Sequence, residues 1–313
     1  MRLKRLLPEF LRFGVSILCL ICAFRGVPLS DLWDLLCRLP PLPIAAAVLT
    51  SFLAYVVMGV RLMGMRRPPL AFRSTFPASL AGLAVNNVLP AKAGEAAKAA
   101  WIGRDAGMKL DEAMGLIFFE RFFDVNMLTL LSLWFMVKAE QQRYALPLVA
   151  CLTAGWLFLL ALRARPAWRR HLERLPLPGG LTAFLARFLD AVTAQMTPGR
   201  ILWMLCSSAA VWALYALQVG IVLNGAAELG LRWTDALGVF ALSSLGMLLP
   251  SSPGALGVYE AVAVAALTFY GVPRDQALAA ALVDHMVQFI PVTAAGGLVL
   301  LLCPSKEKGQ ARA

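Results

Sequence analysis

The stretch LPAKAG at residues 89–94 interrupts a run of apolar residues, and LPSSPG at residues 249–254 interrupts another. Short apolar limbs flank each break, at 74–89 and 91–103 in the first case and at 235–249 and 254–270 in the second. As helices, limbs of about 13–17 residues rise about 20–25 Å, which is short of the roughly 30 Å hydrocarbon core of a bilayer. The pattern predicts two re-entrant helical hairpins, with full crossings as the alternative for either pair. The expected tips are Pro90, Gly94, Pro250, Pro253 and Gly254.

The composition places these hairpins in a membrane protein. Of the 313 residues, 60% are hydrophobic and 15% are charged, whereas soluble domains have about 45–50% apolar and about 25% charged residues. This excludes a soluble catalytic domain. The other apolar segments predict about six full spans, at 10–24, 42–64, 111–137, 145–162, 201–224 and 277–302. We expect an all-α, polytopic integral membrane protein with one membrane domain, residues 1–305, and a disordered cytoplasmic tail, residues 306–313.

The distribution of basic residues predicts the orientation of the chain. The net charge is +11, from 29 Lys and Arg against 18 Asp and Glu. With the N-terminus inside, about two thirds of the basic residues fall in inside segments, as the positive-inside rule requires. Both termini are therefore expected to be cytoplasmic, in a bacterial-type inner membrane. The stretch 163–200 is then a basic cytoplasmic connector, and no nucleic-acid partner is expected.

The residues behind the two breaks indicate an internal repeat. Asp111 precedes the pair Glu120-Arg121, and Asp275 precedes the pair Asp284-His285 at the same spacing. The common order of tip motif, acidic residue and ionisable pair predicts a structural repeat of 44–137 and 201–302. In the predicted orientation the two halves are inverted. Many secondary transporters build a substrate site near the bilayer midplane from such halves.

Several ionisable residues fall inside the predicted membrane segments, where each requires a partner or water. They are Lys92, Glu95, Lys98, Glu120, Arg121 and Asp124 in the first half, and Glu260, Asp284 and His285 in the second. The first-half charges balance, so an ion network that locks the helices together is one interpretation. The other is a hydrated functional cavity, which we favour because apolar packing locks helices without the desolvation of charges.

Two further polar residues have more than one interpretation. Asn87, beside the first break, is expected mainly to satisfy freed backbone groups. His285 is a candidate for proton coupling, although a packing role is more common for an embedded histidine. Because no other His or Cys lies at ligand spacing, neither a metal site nor a cofactor is expected.

The returning limb of each hairpin is predicted to begin inside the membrane, and a helix N-terminus attracts anions. Lys92, Lys98 and Arg121 add positive charge near the first of these ends. The pattern favours a phosphate group. A lipid would place such a headgroup at the midplane and keep its acyl chains in the bilayer.

The residues 86–90, 94–95, Lys98, Glu120-Arg121, Asp124, Pro250, Pro253-Gly254, Gly257 and Glu260 resemble the lysylphosphatidylglycerol synthase transmembrane family, also described as flippase-like. The resemblance covers nearly the whole chain, residues 10–303. It implies that a lipid-translocating cavity is formed by Asn87, Pro90, Gly94, Glu95, Lys98, Glu120, Arg121, Asp124, Pro253, Gly254 and Glu260. Lys92 and Lys98 stand where relatives often carry arginine, and His285 stands where arginine is more common. The aminoacyl-transferase domain of the bifunctional synthases is missing, so lysyl transfer is not expected.

Three functional hypotheses follow. The first is a translocator of an anionic or zwitterionic lipid, either a phospholipid or a polyprenyl-linked one. It would work without ATP, because the chain has no G-x-x-x-x-G-K-[ST] motif. In this hypothesis Lys92, Lys98 and Arg121 hold the headgroup, and Glu95, Glu120 and Asp124 orient those cations.

The second hypothesis is a lipid-modifying membrane enzyme with a carboxylate as general base. The third is a scaffold subunit that delivers lipid to a separate synthase. The expected partners are the lipid substrate and the bilayer, with a separate lipid-synthesis enzyme and a second copy of the chain as further candidates. Small residues such as Gly296-Gly297 suit helix association within or between chains.

Overall fold

The structure, a computed structural model, describes residues 14–90, 92–138, 145–165, 168, 172, 174, 178–249 and 251–303. Over these residues the chain is all-helical, as the sequence predicts. The helices are α1 Gly14–Phe24, α2 Leu29–Cys37, α3 Pro41–Met63, α4 Phe72–Val88, α5 Ala93–Asp105, α6 Leu110–Lys138, α7 Ala145–Ala164, α8 Gly179–Gln195, α9 Pro198–Gly220, α10 Trp233–Gly246, α11 Val258–Phe269 and α12 Arg274–Leu302. A π-helical segment, Ile221–Ala226, continues α9, and a 3₁₀ turn, Pro253–Ala255, precedes α11. The tail predicted at 306–313 lies outside the described residues.

Within the described part of the chain, four helices are long and apolar enough to cross a membrane: α3, α7, α9 with its π-helical continuation, and α12. A fifth span results if α1 and α2, bent by 83° at their junction, count as one. The protein is therefore a multi-pass membrane protein. The sequence predicts about six full spans, and α6 accounts for part of the difference: it is 29 residues long but carries Glu120, Arg121 and Asp124 in its middle.

Helix α2 was not predicted. It lies where the sequence analysis places an outside loop, because Asp31 and Asp34 lower the apolar average of a nine-residue segment. Gly26, with φ of 77°, and Pro28 end α1 and start α2. Leu32 of α2 is buried and anchors this helix to the core formed by α9 to α12.

The first predicted break separates α4 from α5, and these two helices pack against each other. They approach closely at two glycines, since a Cβ on Gly94 would collide with the carbonyl oxygen of Gly82. Asn86 Oδ1 accepts the Gly94 N–H at 2.8 Å, which closes the turn. The limbs are 17 and 13 residues long, or about 25 and 20 Å as helices.

The second predicted hairpin is present as α10 and α11, of 14 and 12 residues. A Cβ on Gly246 would lie 2.8 Å from Cγ2 of Val262, so these limbs are also in close contact. Residues 247–257 join them and contain the 3₁₀ turn. The backbone of this tip needs glycine, with φ of 67° at Gly254 and 85° at Gly257. Pro250, a predicted tip residue, lies outside the described residues.

Each hairpin packs against long helices of both halves. Helix α3 packs on α9, α4 packs on α12, and α10 packs on α6. Within each half, the hairpin bridges the flanking long helices: α3–α4, α4–α5 and α5–α6 in the first, and α9–α10, α10–α11 and α11–α12 in the second.

The predicted connector 163–200 contains α8, which packs against α6 and, more weakly, α7. Arg187 Nε lies 2.6 Å from Asp111 Oδ2, and Val192 is fully buried. This part of the connector is therefore a docked helix. Part of the basic stretch before it, residues 166–177, lies outside the described residues.

Candidate functional site

Six charged side chains from three helices meet at the first hairpin. Arg61 comes from α3, Glu95 and Lys98 from α5, and Glu120, Arg121 and Asp124 from α6. We call them the charged cluster. Its three cations and three carboxylates balance, as an interior site in a membrane protein requires.

Glu120 is the centre of the charged cluster. Its side chain is fully buried, and Lys98 Nζ donates to its two carboxylate oxygens at 3.0 and 2.7 Å. Arg61 Nη2 also donates to Oε1, and Arg121 Nη2 lies 3.3 Å from the same oxygen. A buried carboxylate needs such partners because it has lost its hydration. The charges of Lys98 and Arg61 therefore serve to neutralise Glu120.

Asp124 joins the charged cluster to α9. It accepts Arg61 Nη1 at 2.7 Å and Trp212 Nε1 at 3.3 Å on the same oxygen. Arg61 Nη1 also donates to Ser208 Oγ at 3.0 Å. Arg61, on α3, thus bonds side chains of α6 and α9 and links the three helices.

Arg121 lies at the accessible edge of the charged cluster. Its side chain is 36% exposed, against 24% for Glu95 and 16% for Asp124. Its contacts are long: 3.2 Å to Asp124, 3.3 Å to Glu120 and 3.6 Å to Glu95. Charge-assisted hydrogen bonds normally measure about 2.7–2.9 Å. Arg121 is therefore held loosely, and Glu120 and Asp124 would keep Lys98 and Arg61 as partners if Arg121 bound an anion.

The structure places Lys92 differently from the sequence analysis. Lys92 is exposed at the tip of the first hairpin, in the left-handed conformation with φ of 54°, and precedes α5. Among the described residues it forms none of the ion pairs of the charged cluster. Pro90 and Gly94 lie on either side of it, at the tip and at the start of α5.

Arg61 was missed as a site residue. The sequence analysis does not single it out, but its side chain is fully buried. A signal was present, because Arg61 continues the buried face of α3 that runs through Ala54 and Met58 at helical spacing. Arg61 therefore takes the third cationic place that the sequence analysis gives to Lys92.

A second polar cluster lies at the other hairpin. Asp284 of α12 accepts Gln218 Nε2 at 2.7 Å and the hydroxyl of Tyr259. His285 Nδ1 lies 2.6 Å from Glu260 Oε1, and Glu260 Oε2 accepts the Gly257 N–H at 2.7 Å. We call Gln218, Tyr259, Glu260, Asp284 and His285 the second cluster. Gln218 and Tyr259 carry no charge, and the sequence analysis did not single them out.

The second hairpin also contacts the first through α12. Asn87 Nδ2 donates to Thr293 Oγ1 at 2.8 Å, so this predicted site residue joins α4 to α12 as well as lying beside the break. Gly254, behind Pro253, faces the ring of Phe289 and the carbonyl of Asn87. The tips of both hairpins are thus attached to one helix.

The described residues contain no group of three or more His, Cys, Asp or Glu side chains that could hold a metal ion. The chemistry available at the charged cluster is that of guanidinium, ammonium and carboxylate groups. Such groups bind phosphate, carboxylate and ammonium ions through hydrogen bonds and charge.

Fold and site define a class: a multi-pass helical membrane protein with a charge-balanced cluster of ionisable side chains between its helices. Residues 10–296 match the family model of the lysylphosphatidylglycerol synthase TM region, and the chain belongs to this family. The predicted resemblance is confirmed. The family is linked to the handling of membrane lipids. No curated protein matches the chain at a significant level.

Proposed function

We propose that the protein moves an anionic or zwitterionic lipid between the leaflets of the membrane. The observation that carries this proposal is the state of Arg121, which is partly exposed and loosely held beside fully buried ion pairs. A charged headgroup at the bilayer centre costs several kcal/mol without partners. The guanidinium of Arg121 supplies two parallel donors for a phosphate. Glu95, whose Oε2 has no hydrogen-bond partner among the described residues, supplies an acceptor for an amine.

The proposal gives the charges separate tasks. Arg61 and Lys98 bind Glu120 and keep the interior neutral and rigid, while Arg121 exchanges its long contacts for the headgroup. Lys92, exposed at the hairpin tip, meets an anionic headgroup on its way to the charged cluster. The acyl chains stay in the surrounding lipid throughout.

An inverted repeat of residues 44–137 and 201–302 is part of the same proposal. Helices α3 and α9 both have 23 residues, and α6 and α12 both have 29. The three hairpin contacts within the first half have counterparts in the second, and α4 on α12 corresponds to α10 on α6. Such halves can rock against each other around a central site.

The two polar clusters also correspond. Arg61 and Gln218 are both third from the end of their helices, and each bonds to the acidic residue at the centre of its cluster, Glu120 or Asp284. The residue after that acid pairs with a glutamate in the first turn of the returning limb. These pairs are Arg121–Glu95 in the first half and His285–Glu260 in the second.

The membrane arrangement is part of the proposal. The hairpins are re-entrant because their limbs are shorter than the hydrocarbon core. The full spans are then the α1–α2 pair, α3, α6, α7, α9 and α12, with both termini on the cytoplasmic side of a bacterial-type inner membrane. Transport uses no ATP and runs downhill or with the membrane potential or protons.

A lipid-modifying enzyme and a scaffold for a separate synthase are the competing functions. An enzyme with Glu120 or Asp124 as general base would need a carboxylate free to take a proton. Both are bonded to arginine or lysine, Glu120 by Lys98 at 2.7 Å and Asp124 by Arg61 at 2.7 Å. This occupation favours translocation.

Leaflet exchange in proteoliposomes tests the proposal. Fluorescent phospholipids with different headgroups are quenched from outside, and loss of the protected inner signal reports exchange. The test variant is Arg121→Gln, and the matched control is Arg104→Gln. Arg104 has a similar exposure, 39%, but pairs with Asp105 away from the charged cluster.

We expect wild type and Arg104→Gln to exchange at least one headgroup, and Arg121→Gln to be slower by about tenfold or more, equivalent to about 1.4 kcal/mol. Equal rates for the two variants would contradict the role of Arg121. Absence of exchange for every headgroup from folded protein would contradict translocation and favour the enzyme or the scaffold.

A further inference from the structure

The imidazole of His285 bridges two parts of the second hairpin. Nδ1 lies 2.6 Å from Glu260 Oε1 on α11, and Nε2 lies 2.9 Å from the carbonyl oxygen of Gly254 in the 3₁₀ turn. The side chain is 5% exposed, so water does not compete for either contact. The translocation proposal above gives this bridge no task.

The two partners fix how many protons the bridge contains. A backbone carbonyl only accepts hydrogen bonds, so Nε2 carries a proton. The contact between Nδ1 and Glu260 Oε1 needs one further proton, on either the ring or the carboxylate, because two lone pairs repel at this distance. Glu260 Oε2 already accepts the Gly257 N–H at 2.7 Å. The closed bridge therefore contains one exchangeable proton more than a neutral histidine beside a carboxylate.

Loss of that proton breaks one of the two contacts. The remaining ring proton can lie on Nδ1 or on Nε2, but not on both. A hydrogen bond to a carboxylate is stronger than one to a neutral carbonyl, so the proton lies on Nδ1, facing Glu260. Nε2 then presents a lone pair to the carbonyl of Gly254, and this contact is lost.

Loss of the hydrogen bond from Nε2 would free the backbone at Gly254. This glycine belongs to the tip of the second hairpin, and a Cβ there would collide with Phe289 and lie 3.3 Å from the carbonyl oxygen of Asn87. His285 thus holds the second tip against α12 and against the end of α4. The corresponding cation of the first half, Arg121, cannot lose its charge at physiological pH.

Few ionisable groups surround the imidazole. Glu260 and Tyr259 come from α11, with the Tyr259 ring centroid 4.6 Å from that of His285. Asp284 precedes His285 on α12 and is occupied by Gln218 of α9 and by Tyr259. Tyr55 of α3 reaches the Gln288 carbonyl at 3.5 Å. From α2 and α4, the neighbouring side chains on this part of α12 include Leu36 and Asn87, which do not titrate.

We propose that His285 and Glu260 form a proton-binding site that latches the tip of the second hairpin. With the shared proton bound, His285 holds the Gly254 carbonyl. Without it, the tip is released. As a coupling site for transport, the latch rests on the proposed translocation, but the proton site itself does not.

Nitrogen-15 NMR of histidine tests the proton site directly. The chain has two histidines, so a His171→Gln background leaves His285 as the single signal. The full chain, ¹⁵N-labelled at histidine, is reconstituted in phosphatidylglycerol nanodiscs and titrated from about pH 5 to about pH 9. We expect both ring nitrogens to be protonated at the acidic end and only Nδ1 at the basic end. A single neutral form at every pH would overturn the proposal.

Glu260→Gln provides a specific variant. Its amide oxygen can accept the Gly257 N–H while its NH₂ group donates to Nδ1, which fixes the proton of a neutral imidazole on Nε2. We expect this variant to keep the Nε2–H form throughout the titration. The control is Glu228→Gln, which changes an exposed carboxylate and should titrate like wild type. Titration of Glu260→Gln like wild type would overturn the proposal, and the wild-type titration decides it if Glu260→Gln does not fold.

The leaflet-exchange assay separates this inference from the proposed function. Release of the tip at higher pH should raise the wild-type exchange rate, by up to about tenfold per pH unit for one proton, and Glu260→Gln should show a flat profile. Exchange that does not depend on pH in wild type would overturn the coupling. No exchange at any pH would refute translocation and the coupling, while the NMR titration would still decide the proton site.

Discussion

Arg61 Nη1 lies 2.7 Å from Asp124 Oδ1, and the same guanidinium also binds Glu120. One buried arginine near the end of α3 therefore fixes the middle of α6. Since Lys98 donates to both carboxylate oxygens of Glu120, α3, α5 and α6 share a single neutral cluster. The partly exposed Arg121 lies beside these buried ion pairs.

The buried ion pairs around Glu120 predict that Glu120→Gln is strongly destabilising. The substitution leaves Arg61 and Lys98 without their common anion in a buried site, and loss of one partner of a buried ion pair costs about 3–5 kcal/mol. The free energy of unfolding, measured by denaturant titration in detergent micelles, checks this expectation.

Asp284→Asn is the matched control, since Asp284 and Glu120 both stand eleventh in 29-residue helices. Asp284 is bonded by uncharged groups, and Gln218 Oε1 is a buried acceptor without a partner among the described residues. The Gln218 amide can therefore turn over and accept from the amide group that the substitution introduces, so the cost should be about 1 kcal/mol or less. Similar losses for the two variants would contradict the assignment of Glu120 as the centre of the charged cluster.

Alanine substitutions at two adjacent glycines of α12 are expected to have opposite effects on the stability of the protein. A Cβ on Gly296 would collide with the carbonyl oxygen of Leu80 and lie 2.6 Å from Ala84 Cβ, whereas a Cβ on Gly297 meets nothing within 4 Å. We expect Gly296→Ala to destabilise the protein by about 1–3 kcal/mol through overpacking against α4. Gly297→Ala should stabilise α12 by up to about 1 kcal/mol.

The denaturant titration described for Glu120→Gln also measures the stability of these two variants. Equal effects of Gly296→Ala and Gly297→Ala would show that α4 and α12 are not in close contact. The predicted use of Gly296 for packing within the chain is consistent with the geometry. A role for Gly297 in association with a second copy stays a prediction.

The proposed orientation predicts the labelling of two exposed cysteines. Cys37 ends α2 and Cys303 follows α12, and both are free and exposed. With cytoplasmic termini, Cys37 faces outside and Cys303 inside. In intact cells, a membrane-impermeant maleimide should label a variant that retains only Cys37, and should label one that retains only Cys303 after permeabilisation. The reverse pattern would invert the orientation.

Local signals explain what the sequence predicted well. The limbs expected at 74–89 and 91–103 correspond to helices Phe72–Val88 and Ala93–Asp105, because proline and glycine mark a break wherever they stand in the fold. The charged residues of α5 and α6 converge as expected, because an ionisable group in a membrane needs a partner.

Tertiary packing explains what the sequence analysis did not predict. Arg61 lies three residues before Gly64 in a basic segment, and its burial depends on α6 and α9 covering it. Gln218 and Tyr259 are ordinary residues of apolar helices until Asp284 is placed beside them. Its spacing placed Lys92 in one group with Glu95 and Lys98. The left-handed backbone at Lys92, with φ of 54°, puts it at the tip instead.

Photo-crosslinking of a lipid headgroup tests the central claim most directly. A phospholipid with a diazirine on its headgroup is reconstituted with the protein and irradiated, and the modified residues are located by mass spectrometry. We expect labelled peptides that contain Glu95 or its neighbour across the cluster, Arg121, and loss of this labelling in Arg121→Gln but not in Arg104→Gln. Labelling restricted to lipid-facing α7, of which 6% of the span is buried, and unchanged by Arg121→Gln would contradict the account.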